Sequence, residues 1–597
     1  MRPAIEPPSQ YATIRFPRET GAAFRNNRLA TSIPDLQRLS FLYGAEFWRR
    51  VTRRSAIGRL SAIRFAGAIP DRLVVAPIDL RMADAHIAAE VYAGRFAMAG
   101  RMIDTGGESP FHMDIQDGGF LRSLHSFGWL RHMRAADHEL AFANARALVD
   151  DWITVEGKRL SGLSYRPEIV ATRLIAWFSH SPIVLRGADH GFYRRFLRSI
   201  ALQTRYLRRV SANLPIGSTR FQARIALAMA SLCLPASQGA IRAAARNLDH
   251  EFDQQVLADG GHISRNPMVL IELLTDLLPL MQTYVNVGQK PPRNMAAGMD
   301  RLFSALRFFR HASGELALFN GASAVSADRM LAALRYDETS GAPFREMPHS
   351  NYQRLAIGDV VVLADTGAPA PGIASETAHA GCLSFEMSSG ANRYIVNAGA
   401  PVFRDPAHVE FSRMTAAHST VAINDTSSLR FSQSSFLGPI VTGGVSKVDI
   451  ESLDEAGKHQ GFSATHDGYA AQMKLLHRRK IRLLASGHEV QGRDHILGPD
   501  HNPPRADNPA VAVARFHVHP SIMVDRAEDG AIQLTAADGE SWKFLARDLE
   551  PEIEEDVHFA DLAGARASKQ ITLTFKVGET PEIAWKLVRT VLARARD

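Results

Sequence analysis

Near residue 313 the apolar residues of this chain change their period, and that change limits what the chain can fold into. From about residue 80 to 312 they recur at helical spacing. In YRRFLRSIALQTRYLRRV (193–210), Phe196, Ile200, Leu207 and Val210 fall near one face and arginines on the other. Further helices are predicted over 220–234, 239–252 and 268–285, punctuated by Pro215, Pro235 and Pro267. Consecutive helices with short links and few strand signals imply helical hairpins stacked about a common axis. After the turn-rich HASGELALFNG (311–321) the chain reads as short β runs. Among them are DVVVLA (359–364), ANRYIV (391–396), HSTVAI (418–423), VAVARFHV (511–518) and QITLTFKV (570–577). Many short strands imply a sandwich of antiparallel sheets. The tail from Pro581 to Ala595 reads as a closing helix. At 597 residues the chain exceeds one ordinary core. The expected organisation is an N-terminal arm (1–80), a helical domain (81–345) and a β domain (346–597), an α+β multidomain protein.

Charge narrows the partners. There are 69 Lys and Arg against 62 Asp and Glu, a net +7, and Lys158 and Lys290 are the only lysines before residue 440. Arginine forks pair bidentately with carboxylates, sulfates and phosphates, so the balance suits an acidic polymer. No nucleic-acid motif is present, and Gly260-Gly261 lies in no phosphate-loop pattern, so nucleic acid is not an expected partner. Cys233 and Cys382 have no metal or disulfide spacing and are expected as buried thiols. Met1 to Pro17 lacks the apolar core of a signal peptide, and no run reaches the 18 or so apolar residues of a membrane span. The expectation is a cytoplasmic protein. Oligomeric state is not legible.

The most specific segment is 377–430, TAHAGCLSFEMSSGANRYIVNAGAPVFRDPAHVEFSRMTAAHSTVAINDTSSLR. His379 stands ahead of Leu383-Ser384-Phe385-Glu386, then come Asn397-Ala398-Gly399, Arg413 and Ala416-Ala417-His418-Ser419-Thr420-Val421. In order and spacing this resembles the β domain of heparinase II/III-type polysaccharide lyases and related alginate lyases. In the helical half, LADGGHISRNP (257–267) resembles the family's Asp-Gly-Gly-His-x-Glu-Arg-Ser-Pro run. Trp152, Tyr165, Pro167, Arg173 and Trp177 resemble its Trp…Tyr-x-Pro…Arg…Trp stretch. The resemblance covers roughly residues 140 to 430. It implies an incomplete α/α toroid followed by an antiparallel β-sandwich, and a polysaccharide lyase cleaving a uronate-containing glycan by β-elimination. It also implies a periplasmic or envelope location, the alternative to the cytoplasm. The chain departs from the pattern at several positions. Thr377 stands for the first of two histidines, Gly381 for an Asp, and Asn397 for the Asp of Asp-x-Gly. Pro401 and Phe403 replace tyrosines, Ser218-Thr219 an Asn-His pair, Val269-Leu270 a Tyr-His pair, and Ser264 a glutamate. These departures keep a second function open: a catalytically altered glycan-binding or envelope-polysaccharide assembly protein.

β-Elimination beside a uronate needs a group that neutralises the carboxylate, a base for the weakly acidic proton and an acid for the leaving oxygen. His262, His379 and His418 are the candidate catalytic groups. Arg265, Asn266, Asn397, Arg413 and Tyr165 are candidate substrate-binding groups. For Asn266-Pro267 the competing reading is a helix cap. For Tyr165 it is core packing, and for Arg413 an ion pair with Glu386. For the two sandwich histidines it is a buried hydrogen-bond network. In some relatives the residues matching His379, His418 and Asn397 hold a metal. An amide is a poor zinc ligand, so no cofactor and no tightly bound zinc are expected. One cleft shared by both domains is expected, with His262, Arg265 and Asn266 facing His379 and His418.

Overall fold

Helix α1 (Ile33–Ala56) opens the described part of the chain. It falls in the region read as an arm. Its large apolar side chains Phe41, Phe47 and Trp48 stay exposed, so no core-facing stripe announces it. The computed structural model describes residues 33–56, 65, 67–157, 159–338, 341–403 and 405–592.

Short helices and the hairpin Arg95–Met98/Arg101–Asp104 lead into the main helical array. The array comprises α2 (Glu139–Val155), α3 (Pro167–Ser179), α4 (His190–Ser211), α5 (Ser218–Cys233), α6 (Gln238–Gln255), α7 (Met268–Asn286) and α8 (Met295–Phe308). Helix α3 packs on α4 and α5, α5 on α6 and α7, and α7 on α8, giving an incomplete α/α toroid. The helices predicted from periodicity lie within α4 to α7. In α4 the reason is plain. Asp189 caps it, its carboxylate accepting from Phe192 N at 2.8 Å. Phe192, Phe196, Ile200, Leu207 and Val210 are buried, while Arg194, Arg198 and Arg208 face out. Each such burial contributes roughly 2 kcal/mol. Among the described residues α7 is the one helix long and apolar enough to cross a membrane, but 72% of its apolar window is buried within the protein. It is a core helix.

The last helix of the helical half ends at Leu334, and strands predominate from Glu346. The strands used below are β1 (Tyr352–Ile357), β2 (Val360–Asp365), β3 (Phe385–Ser389), β4 (Asn392–Val396), β5 (Leu476–Leu484), β6 (Glu489–Leu497), β7 (Val511–Val518), β8 (Ser541–Arg547), β9 (Arg566–Lys576) and β10 (Glu582–Val591). One sheet runs β9–β7–β4–β3–β2–β1, with a further strand at each edge and Val421–Ile423 pairing β7. The other contains β5–β6–β10–β8, flanked by two strands on each side. All pairs are antiparallel. The sheets share a core in which Phe385 stacks on Trp585 at 5.2 Å and Phe516 lies 4.8 Å from Phe544. The predicted closing helix is instead β10. Ile583, Trp585 and Leu587 are buried and alternate with outward residues, a period of two that overrides helical propensity. The expected strand at 418–423 is shorter, Val421–Ile423, because Thr415–Ala417 forms a 3-10 turn just before His418.

Candidate functional site

Three toroid helices bring their N-terminal ends to one hollow of about 390 Å³ between the halves. Pro167 and Glu168 open α3, Ser218 and Thr219 open α5, and Val269 lies in the first turn of α7. Neither Arg166 nor Gly217, the residues before α3 and α5, supplies a side-chain cap. First-turn N–H groups and aligned helix dipoles make such ends hospitable to an anion. The sandwich closes the hollow with Ile373–Thr377 and Ser435–Gly438. Helix α1 closes a further side with Glu46 and Arg50. The Arg50 guanidinium lies 4.2 Å over the Phe436 ring and donates to Phe436 O at 2.6 Å, while Tyr43 stacks on the same ring at 5.7 Å. The ionisable lining among the described residues is Glu46, Arg50, Arg166, Glu168 and Glu376. No histidine or tyrosine is in it.

The expected toroid groups lie beneath this hollow. His262 is buried, and burial pushes its imidazole down to about 3. Its Nδ1 accepts from Ser264 N at 3.1 Å, so Nε2 carries the proton and donates to Gln255 Oε1 at 3.0 Å. Asn266 Oδ1 accepts from Met268 N at 2.9 Å, the capping role. Arg265 has φ +60° and a fully engaged guanidinium. It ion-pairs with Asp365 and donates to Ser350 O at 2.8 Å, Gly367 O at 3.0 Å and Asn351 O at 3.1 Å. Its donors are spent on the sandwich, which corrects the expectation that Arg265 holds a substrate anion. Tyr165 is a core residue whose hydroxyl donates to Gly157 O at 3.0 Å, and burial raises its pKa. It packs with Trp152, Tyr206 and the fully buried Arg173, which corrects its substrate-binding assignment. His262, Arg265 and Asn266 therefore do not face the sandwich histidines across the hollow. Ser264 and Thr377 line it in their place.

In the sandwich, His379 and His418 come together, Nδ1 to Nε2 at 3.2 Å. His418 Nδ1 lies 2.7 Å from Met414 O, an acceptor only, so that nitrogen carries the proton. His418 Nε2 must then accept from His379 Nδ1–H, which leaves the lone pair of the neutral pair on His379 Nε2. That nitrogen meets no hydrogen-bond partner among the described residues. Burial holds both rings neutral, His418 down at about 4 and His379 well below its ordinary value. Asn397 is fully buried. Its amide donates to Glu386 at 3.1 Å and its oxygen accepts from Ser419 N at 3.0 Å, so it is committed to the sheet rather than to a ligand. Glu386 pairs with His311 at 3.0 Å, not with Arg413. Arg413 donates to Ala378 O at 2.9 Å and lies 4.0 Å from the Phe431 ring. Burial brings it down to about 10. The separation of the two histidines would suit two zinc ligands, but the third position is the committed Asn397 amide. Among the described residues no three His, Cys, Asp or Glu side chains converge on one point. The residues present do not fit zinc.

Sequence reasoning missed Glu46, Arg50, Arg166, Glu168 and Glu376. Arg166 and Glu168 flank Pro167, whose place at a helix start marked that turn. No signal marked the α1 pair. The hollow is also lined by Ser218, Thr219, Ser264, Val269 and Thr377, five of the positions where the chain departs from the lyase pattern.

Comparison with known proteins agrees with this architecture. Residues 339–586 match the family model for the heparinase II/III-like C-terminal domain. FtsZ-localized protein C of Caulobacter vibrioides is 30% identical over 572 residues, covering 92% of this chain and 97% of that protein. The crystal structure of heparinase III superposes with a TM-score of 0.67 at 13% identity, covering 95% of this chain and 93% of that one. A mutant of the heparan sulfate lyase HepC from Pedobacter heparinus gives 0.57 at 15% identity, over 92% and 89%. The fold is shared along nearly the whole chain, and the chain belongs to the heparinase II/III-like family.

Proposed function

We propose that the hollow binds a segment of an acidic, uronate-containing glycan without cleaving it. One observation carries this reading: Ser218, Thr219, Ser264, Val269 and Thr377 line the hollow where the lyase pattern carries histidine, tyrosine, asparagine and glutamate. Hydroxyls and uncapped helix ends can hold a carboxylate. Elimination also needs a base of suitable pKa within hydrogen-bond reach of the proton. The name of the full-length relative, which ties that protein to FtsZ localisation, sits more easily with an assembly role than with polymer breakdown. A cytoplasmic location belongs to the same proposal.

The test is a panel of acidic oligosaccharides, read for binding by calorimetry and for unsaturated product by ultraviolet absorbance. Binding without product is expected, with Thr219→Trp weakening it at least ten-fold by filling the hollow. A lyase remains the second reading because His379 Nε2 carries a free lone pair. Unsaturated product that disappears in His379→Gln would replace the binding reading with that one.

A further inference from the structure

The outer face of the second sheet points away from the toroid. The toroid packs on the first sheet through Arg265–Asp365 and His311–Glu386, and the second sheet turns Phe544, Trp585 and Leu587 toward the first. On the opposite face strand register sets two rows of neighbours. Lys480 lies opposite Arg493, which lies opposite Ala584, which lies opposite Arg547. One step along, Arg482 lies opposite Gln491, then Lys586, then Leu545. Alternation puts both rows on one side, and the burial pattern of β5, buried at Arg479, Ile481 and Leu483, confirms it. The rows wall an open trough of about 620 Å³, floored at Ala584 and at the backbone of Gly492.

Two features of the trough run against stability. Lys480 and Arg493 are like charges directly opposite, an arrangement that costs a sheet free energy. Among the described residues no carboxylate pairs with Lys480, Arg482 or Lys586. Arg493 reaches Glu582 at 3.0 Å and Arg547 the adjacent Asp548 at 3.3 Å, both in exposed, weak pairs. An anionic ligand would relieve the repulsion, since cations crowded on one surface draw a polyanion.

We infer that this trough is a second, separate binding site for an acidic polysaccharide chain laid across the strands. It shares only the ligand class with the reading of the hollow. The spacing selects a glycan over a peptide. Each of β5, β6, β10 and β8 contributes a cation, so projected across the strands the cations step by the strand spacing, about 4.8 Å, with Lys586 set two residues along from the row of Lys480, Arg493 and Arg547. One pyranose ring with its bridging oxygen spans a similar length, and a uronate polymer can carry one carboxylate per ring. An extended peptide presents same-side chains only every ~6.7 Å, out of step with the strands.

The experiment uses the full chain with size-defined oligogalacturonate, and polyglutamate of equal charge as control. Wild type should take up two equivalents of oligogalacturonate. The triple variant Lys480→Ala, Arg482→Ala, Lys586→Ala should lose one, with at least a ten-fold weaker affinity at that site and a shallower salt dependence. Lys480→Arg with Lys586→Arg should keep it. Thr219→Trp should lose the other equivalent alone, so a failure of the hollow leaves the trough measurable. Unchanged uptake in the triple variant would overturn the inference. So would polyglutamate binding as tightly as the glycan, since the face would then be an unselective or peptide-directed cation surface.

Discussion

Arg265 occupies a left-handed backbone position, and from there its side chain crosses from toroid to sandwich. Asp365, its partner, also accepts from Asn320 at 2.8 Å and Gly367 N at 3.0 Å. Removing one member of a buried pair strands the other. Arg265→Met should therefore cost about 3–5 kcal/mol in chemical denaturation, and Asp365→Asn added to it should recover part of that loss. Equal stability of wild type and single variant would show that the clamp is not engaged. The buried histidines set a pH dependence. His262 at about 3 and His418 at about 4 both lie below the unfolded value of ~6.5. The unfolded chain then binds more protons than the folded one between those limits. Stability is fully present above about pH 6.5 and falls as pH drops toward 4, by roughly 3 kcal/mol for each shift of this size. His262→Gln should flatten that slope between pH 6.5 and 4. A slope identical to wild type would mean that His262 is protonated in the folded state.

At the scale of elements, α1 meets the sandwich through Tyr43 and Arg50 on Phe436, while Phe41, Phe47 and Trp48 are largely exposed. Elements with so little burial open at low free-energy cost. Arg50→Ala should speed amide exchange in α1 and in 435–438 while leaving α4 to α7 protected, read by hydrogen–deuterium exchange. Unchanged exchange would mean that other contacts hold α1. The helices legible in the sequence were those whose apolar stripe meets the core, as in α4. Helix α1 and the final strand were not legible, the first because the large side chains Phe41, Phe47 and Trp48 are exposed. The second was missed because Leu587 and Val591 can also be read at a helical spacing of four. Only register against β6 and β8 decides between the periods.

For the molecule as a whole, the change of period near residue 313 was enough to read stacked helical hairpins followed by a sandwich, and the family resemblance added the toroid. The site was less legible, because it depends on which groups face the hollow. His262 and Arg265 carry the family pattern, yet they and the neighbouring Asn266 are spent on internal hydrogen bonds, capping and clamping, a commitment visible only once Gln255, Met268 and Asp365 are brought near. Five of the positions read from the sequence as departures, Ser218, Thr219, Ser264, Val269 and Thr377, lie in the lining of the hollow.

The Arg265–Asp365 crossing also bears on how such a protein can change over generations. The helical half contributes the cation, while the sandwich contributes the carboxylate and four carbonyl oxygens that surround it. A recombination event that brought in a half lacking its seam residue would leave a charge without its counterpart. The two halves must therefore be inherited together or exchanged with both seam residues intact. New specificities are more accessible through single replacements in the hollow, such as those at Ser218 and Thr377, than through exchange of whole domains.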